Sequence, residues 1–228
     1  FDCEYIMPHT AEPLAQKQKI VSAAIALYID DRANFTIANI ARKTHIKKVE
    51  IYSLFNARSA ILKYYYPLCV ERYRVMTAEI DDFATWSLEE KLANFAYALF
   101  DMLQEEREFV DEHFTEAILH GSATSRFEHD VEALLGEFVG EACAADWLAS
   151  FLAREYLHLV RFWLADESVD AQRTMALVDK ATSFVGEVIH SSALVYKGID
   201  LTKYLVANDI IKMPLAKILL GQALRWAR

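Results

Sequence analysis

Residues 36–55, TIANIARKTHIKKVEIYSLF, decide the fold of this chain. Apolar side chains recur at three-to-four spacing in both halves of the stretch, which predicts one short helix over 36–44 and another over 47–55. Thr36 is a good N-cap for the first of them, because its side-chain oxygen can accept from a free backbone N–H. Two short helices joined by so tight a turn are typical of a helix-turn-helix, whose second helix can enter the major groove of DNA.

Longer helices are predicted on both sides of this motif. Before it, a helix over about 14–29 carries an apolar stripe that faces a core: Ile20, Ala23, Ala24, Leu27 and Tyr28. After it, Arg58 begins a fourth helix, in which Pro67 predicts a kink or break. The loop before the motif lacks glycine, and Asn34 is its candidate for a left-handed backbone conformation. Residues 14–63 are thus predicted to form one N-terminal unit.

Charge is divided unevenly along the chain. The whole sequence has a formal net charge of −9, yet residues 17–63 hold nine basic and three acidic residues, a net charge of +6. The remainder must therefore carry −15. Because a phosphate backbone attracts the basic segment and repels the acidic remainder, the division indicates that the N-terminal unit faces nucleic acid.

Four blocks of the sequence resemble the TetR family of transcriptional regulators, in family order and nearly at family spacing. They are residues 20–28 (IVSAAIALY), 36–41 (TIANIA), 51–55 (IYSLF) and 58–62 (RSAIL). The resemblance implies that Thr36, Tyr52 and Arg58 hold DNA phosphates and that the side chains between them read bases. We therefore expect the DNA-binding residues to be Thr36, Lys47, Lys48, Val49, Glu50, Tyr52, Ser53 and Arg58.

The sequence departs from the family pattern in the middle of the motif. His45 stands at the turn position usually held by glycine, and Lys47 stands where a small polar cap is expected. Val49 and Glu50 occupy positions where small or hydroxyl residues are common, and a glutamate near phosphates is unfavourable unless it accepts from a cytosine amino group. Two interpretations stay open: a regulator that binds DNA, or a TetR-like protein that binds a small molecule or partner and has lost sequence-specific DNA binding.

The rest of the chain is predicted to be helical as well, so the expected fold class is all-α. Residues 64–195 form a predicted ligand-binding and dimerisation domain. Its segments 145–165 and 171–192 are apolar on more than one face, which favours a homodimer through these two helices. The resemblance implies an apolar small-molecule effector and a near-palindromic double-stranded DNA operator, with repression favoured over activation.

No effector contact is assigned in that domain. Aromatic side chains that would line an apolar pocket are also the side chains of an ordinary core: Tyr65, Phe95, Phe100, Phe114 and Phe138. Residues 196–228 form a predicted amphipathic extension. It either covers the domain or the dimer seam, which we favour, or rests on a membrane surface.

Other classes of function find little support. Glu155 with His158, and Glu187 with His190, have the spacing of di-iron bundle ligands, but the polarity of a helix surface explains them more simply. No metal is therefore expected. The sequence has no glycine-rich phosphate loop and no nucleophile elbow, so neither an enzyme nor a cofactor is predicted. Three scattered cysteines and the lack of a transmembrane segment lead us to expect a cytoplasmic protein.

Overall fold

The computed structural model describes residues 11–115, 126–142 and 146–190, and all of its regular elements in these ranges are helical, as predicted. The predicted extension 196–228 lies outside the described residues. Short 3₁₀ turns occur at Phe83–Thr85 and Val169–Ala171. The α-helices are α1 (Ala11–Asp30), α2 (Ile37–Thr44), α3 (Lys48–Leu54), α4 (Arg58–Lys63), α5 (Tyr65–Ala78), α6 (Leu88–Glu105), α7 (Arg107–Phe114), α8 (Arg126–Ala142), α9 (Asp146–Leu164) and α10 (Gln172–His190).

Helices α1 to α4 form the N-terminal part, which we call the head. The first helix begins at Ala11, three residues before the predicted start, and buries Ile20 and Ala24 completely. It packs against α2 and α4, and α2 packs against α3. Ile40 and Ile51 are also fully buried, one from each helix of the predicted helix-turn-helix. The predicted apolar stripes therefore face one shared core.

The break after the head lies earlier than the sequence predicts. Helix α4 ends at Lys63, Tyr64 caps it, and Pro67 sits inside the first turn of α5. Proline lacks the N–H that would bond the carbonyl four residues earlier, which here is that of Lys63. The effect of Pro67 is thus felt at Lys63. The predicted division at 63/64 coincides with this break, but α1 packs on α5 and α7 as well as on the head, so the division itself stays a prediction.

The loop between α1 and α2 is closed by side-chain hydrogen bonds. Asp31 Oδ1 accepts from the Ala33 N–H at 2.9 Å, and Asp31 Oδ2 accepts from Asn34 Nδ2 at 3.0 Å. The expected left-handed conformation at Asn34 is wrong, because Asn34 is not among the residues with positive φ in the described part of the chain. The Asp31 carboxylate turns the loop instead.

Helices α5 to α10 form the helical body. Helices α8 and α9 pack along each other, α5 packs on α6 and α8, and α10 packs on α6. Helix α6 begins with a capping box, in which Ser87 Oγ accepts from the Glu90 N–H and Glu90 accepts from the Ser87 N–H. Gly186 lets α10 approach α6 closely, since a Cβ there would lie 3.1 Å from Glu89 Oε2.

An aromatic cluster connects the head to the body. Phe109 of α7 lies at its centre, with ring-centroid distances of 6.1 Å to Tyr28, 5.6 Å to Tyr65 and 4.7 Å to His113. Tyr28 belongs to α1 and also contacts Phe35 of the head edge to face at 5.8 Å. Such ring pairs add to the free energy gained by apolar burial.

A polar cluster forms a second connection. Tyr64 donates its hydroxyl proton to Glu71 of α5, and Lys17 Nζ of α1 donates to Tyr64 Oη at 2.7 Å and to Glu71 Oε2 at 3.3 Å. The Arg126 guanidinium of α8 lies 3.7 Å from Glu71 Oε1 and 5.0 Å from the Tyr64 ring centroid. Burial, and then the hydrogen bond to Glu71, raise the pKa of Tyr64 well above its ordinary value, so the phenol stays protonated.

Replacing Phe109 with alanine tests the aromatic cluster. Phe109 is 1% exposed, and Phe109→Ala should lower the free energy of unfolding by about 3–5 kcal/mol, because it removes a buried ring and leaves a cavity. The measurement is urea denaturation followed by circular dichroism. Met76→Ala, at a half-exposed position of α5, is the matched control and should change stability by no more than about 0.5 kcal/mol. Equal losses in the two variants would contradict a central role for Phe109.

Candidate nucleic-acid interface

Helix α3 is slightly shorter than predicted. It spans Lys48–Leu54, with Lys47 as an N-cap in extended conformation and Phe55 as the C-cap. The Lys47 side chain makes no capping hydrogen bond, since an ammonium has no acceptor for a backbone N–H. The Lys47 carbonyl nevertheless accepts from the Ile51 N–H at 3.1 Å. Helix α3 thus starts one residue later than the sequence indicates.

The outward face of α3 brings together most of the predicted DNA-binding residues. Ile51 points into the core, and the side of α3 that faces away from it lies on the surface. Val49 is 78% exposed and Tyr52 is 55% exposed. Ser53 Oγ donates to the Glu50 carbonyl at 2.7 Å within the same helix. The exposed predicted residues of α3 and its N-cap are Lys47, Lys48, Val49, Glu50, Tyr52 and Ser53.

The turn before α3 has the left-handed conformation that glycine usually supplies. His45 has a φ of 58° and a ψ of 24° and caps the C-terminus of α2. Thr44 is buried beside it, and its hydroxyl donates to the Ile40 carbonyl at 2.8 Å and accepts from the Ile46 N–H at 3.3 Å. Sequence reasoning missed this role of Thr44, although a threonine in the last turn before a tight connection was the available signal.

Two further predicted residues meet at the N-terminus of α2. Thr36 Oγ1 accepts from the Asn39 N–H at 3.2 Å, which confirms the predicted cap. Arg58 Nη1 donates to the Phe35 carbonyl at 2.9 Å, and its guanidinium carbon lies 5.6 Å from the Phe35 ring centroid. The start of α4 is thereby held against the start of α2. Backbone N–H groups and a guanidinium at one place favour an anion.

The exposed cations of the segment formed by α2 and α3 differ in their surroundings from two arginines of the body. In the body, Arg72 forms a two-pronged ion pair with Glu105, and Arg74 forms one with Glu137. On α2 and α3, by contrast, exposed cations have no carboxylate within 4.0 Å among the described residues: Arg42, Lys43, Lys47 and Lys48. Their charge remains available to an external anion.

A groove of about 340 Å³ lies in the body between α6, α9 and α10. Its lining is mostly apolar and includes Leu92, Leu159, Val178 and Val185, with Glu155 and His158 beside them. The aromatic residues that the sequence offered as pocket candidates lie elsewhere, buried in the core by packing between helices: Tyr65, Phe95, Phe100, Phe114 and Phe138.

The described part of the chain forms no candidate metal site. No group of three or more His, Cys, Asp or Glu side chains there is placed to hold an ion. Glu155 and His158 both line the groove. For His190 the structure describes the backbone and not the side chain.

Comparison with known families decides the identity of the body. Residues 91–205, half of the chain, match the family model described as "Tetracyclin repressor-like, C-terminal domain". The chain belongs to the tetracycline repressor (TetR) family. No curated protein matches the sequence.

The TetR match begins inside α6 and continues past the end of α10, so it covers most of the body but includes neither α5 nor the head. The helix-turn-helix is thus supported by its own residues and geometry, while the match supports the helical domain behind it. Among the described helices of this TetR protein, none is long and apolar enough to cross a membrane.

Replacing His45 with glycine tests the turn that sets the direction of α3. Because a left-handed conformation strains a residue with a Cβ, His45→Gly should raise the free energy of unfolding by about 1 kcal/mol. Lys43→Gly, in the helical part of α2, is the matched control and should lower it by about 1 kcal/mol. Urea denaturation measures both values, and a loss of stability in His45→Gly equal to that in Lys43→Gly would refute the strained turn.

Proposed function

We propose that this chain is a DNA-binding transcriptional regulator that acts as a homodimer on a near-palindromic operator. The paired α3 helices would enter successive major grooves, and the N-terminus of α2 with Arg58 would lie against the phosphate backbone. Binding would repress transcription until an apolar small molecule shifts the population of head spacings. The proposal includes no catalytic step and no cofactor.

The exposed outward face of α3 is the observation that carries this proposal. A helix that served packing alone would need Ile51 inward and solvated polar groups outward, but it would not need Val49 and Tyr52 on its exposed side. Here this face adjoins cations that have no carboxylate within 4.0 Å in the described residues. The net charge of +6 over residues 17–63 supports the same orientation towards a polyanion.

Apolar side chains on α9 and α10 support the homodimer. Phe184 is 68% exposed, and Leu177, seven residues earlier, lies on the same side of α10 and is also exposed. Phe162 of α9 is exposed as well and lines the groove between α9 and α10. An exposed apolar surface on two adjacent helices favours association with a second copy through the same surface.

The two contacts between head and body support regulation by a ligand. Helix α1 contributes Tyr28 to the aromatic cluster and Lys17 to the polar cluster, and both clusters include residues of the body. A change of packing around Phe109 or Arg126 would therefore be transmitted to α1 and to the head.

Two variants of α3 test DNA binding through its salt dependence. Lys48→Ala should weaken binding and reduce the slope of log affinity against log salt by about two per dimer, since each subunit loses one phosphate contact. Tyr52→Phe should weaken binding severalfold but leave that slope unchanged, because it removes a hydroxyl and no charge. Fluorescence anisotropy with a fragment from upstream of the protein's own gene measures both effects.

Arg74→Ala, on α5 of the body, is the matched control: it removes a cation that is already paired with Glu137, and it should bind as the wild type does. An unrelated fragment of equal length is the control for DNA sequence. Equal weak binding of both fragments by the wild type, Lys48→Ala and Tyr52→Phe would refute the regulator. It would favour instead a TetR-family protein that binds a ligand or partner without reading DNA.

A charge on the exposed face of α10 tests the homodimer. Phe184→Glu should weaken dimerisation roughly thirtyfold or more, because an aromatic side chain at the centre of an interface contributes strongly to binding. Met76→Glu makes the same kind of exchange at an exposed apolar position of α5 and should leave the dimer intact. Sedimentation velocity across a concentration series measures the dimer fraction. Dimers that withstand Phe184→Glu, or a monomeric wild type, would place the proposed interface in error.

A further inference from the structure

We infer that Val49 and Glu50 read two pyrimidines on neighbouring base pairs of each operator half-site, Val49 contacting a thymine methyl group and Glu50 accepting from a cytosine amino group. This inference rests on the proposed function. The inference concerns the base sequence of the DNA site, which neither the fold nor membership of the family specifies.

Val49 occupies the outermost position of α3. At about 100° per residue, Val49 and Ser53 lie opposite Ile51, the fully buried residue of the helix. Ser53 uses its hydroxyl proton within the helix, on the Glu50 carbonyl. The isopropyl group of Val49, 78% exposed, therefore forms the tip of the surface. In the major groove the thymine C5-methyl is the apolar group that a base edge presents, so it matches Val49 in chemistry.

Glu50 points to one side of that tip and offers only acceptors. Among the described residues no cationic side chain lies within 4.0 Å of its carboxylate, so no ion pair occupies its oxygens there. Phosphates and the acceptor edge of guanine would repel it. Adenine presents its amino group beside its own N7 acceptor, which would face the second carboxylate oxygen, whereas cytosine has no acceptor of its own on its major-groove edge.

Among the remaining side chains of α3, whose sequence is KVEIYSL, Lys48 is the one that could pair with guanine, and the proposed function places it against a phosphate. The helix has no arginine, asparagine or glutamine, whose forked groups pair with guanine or adenine. Tyr52 lies on the side of Val49 opposite to Glu50, where its hydroxyl can reach a phosphate. Since consecutive residues of a helix diverge by about 100°, Val49 and Glu50 reach different base pairs. The pair of contacts thus selects a thymine next to a cytosine.

Selection from random double-stranded DNA by the full chain tests this inference. The wild type should enrich half-sites that contain the predicted thymine and cytosine. Glu50→Gln, which keeps the shape and removes the charge, should lose the preference for cytosine by roughly tenfold. In the enriched site, replacing the thymine with deoxyuridine removes only the methyl group and should weaken wild-type binding about fourfold. The same replacement should leave Val49→Ser unaffected, because a hydroxymethyl group offers no methyl to the thymine. Both altered side chains are exposed, and unchanged melting temperatures will confirm that the variants fold.

The results separate this inference from the function on which it rests. An enriched site whose affinity ignores the thymine methyl, or a Glu50→Gln profile identical to that of the wild type, would overturn the inference and leave a sequence-specific regulator standing. Binding without enrichment of any sequence, or no binding, would overturn both. A methyl effect that persists in Val49→Ser would assign the contact to another side chain and would also refute the inference. Arg74→Ala, on α5 of the body and paired with Glu137, should reproduce the wild-type profile throughout.

Discussion

The rest of the structure depends on the burial of α1 between the other helices of the head and the helices of the body. Its side chains Ile20, Val21, Ala24 and Ile25 are almost entirely withdrawn from solvent, and the helix packs on α2 and α4 as well as on α5 and α7. Burying each larger aliphatic side chain stabilises the fold by about 1.5–3 kcal/mol. Because a helix of twenty residues is stiff, a displacement of α7 or α5 would carry α1 with it and so reach α2 and α4.

How far the sequence predicts the fold depends on the range of the interactions involved. Both ends of α2 are determined by neighbouring residues, so they can be predicted: Thr36 caps the N-terminus, and Thr44 is the last residue of the helix. The sequence predicts that α3 starts one residue too early. Lys47 is the N-cap, but its side chain has no acceptor that would mark it as one. The break near Pro67 was misplaced by about one turn, because proline acts on the carbonyl of the preceding turn and not on its own position.

The candidate site was predictable in part for the same reason. Helical spacing alone places Val49, Tyr52 and Ser53 on the side away from Ile51, and these residues are exposed as that spacing requires. The hydrogen bond from Arg58 to the Phe35 carbonyl joins residues 23 positions apart, so no local sequence pattern predicts it. The groove between α6, α9 and α10 is not predictable from the sequence pattern, because it depends on how three helices pack and not on which residues are aromatic.

The tether on Arg58 has a consequence for the thermodynamics of anion binding. A free arginine on a surface samples many rotamers, and an anion that captures it must restrict them at a cost of about 0.5–1.5 kcal/mol in conformational entropy. Here one nitrogen of the guanidinium is already bonded to the Phe35 carbonyl and the group lies near the Phe35 ring, so much of that freedom is absent before any anion arrives. An anion that reaches the N-terminus of α2 therefore meets a cation already held in place, and this side chain loses little further entropy when it binds.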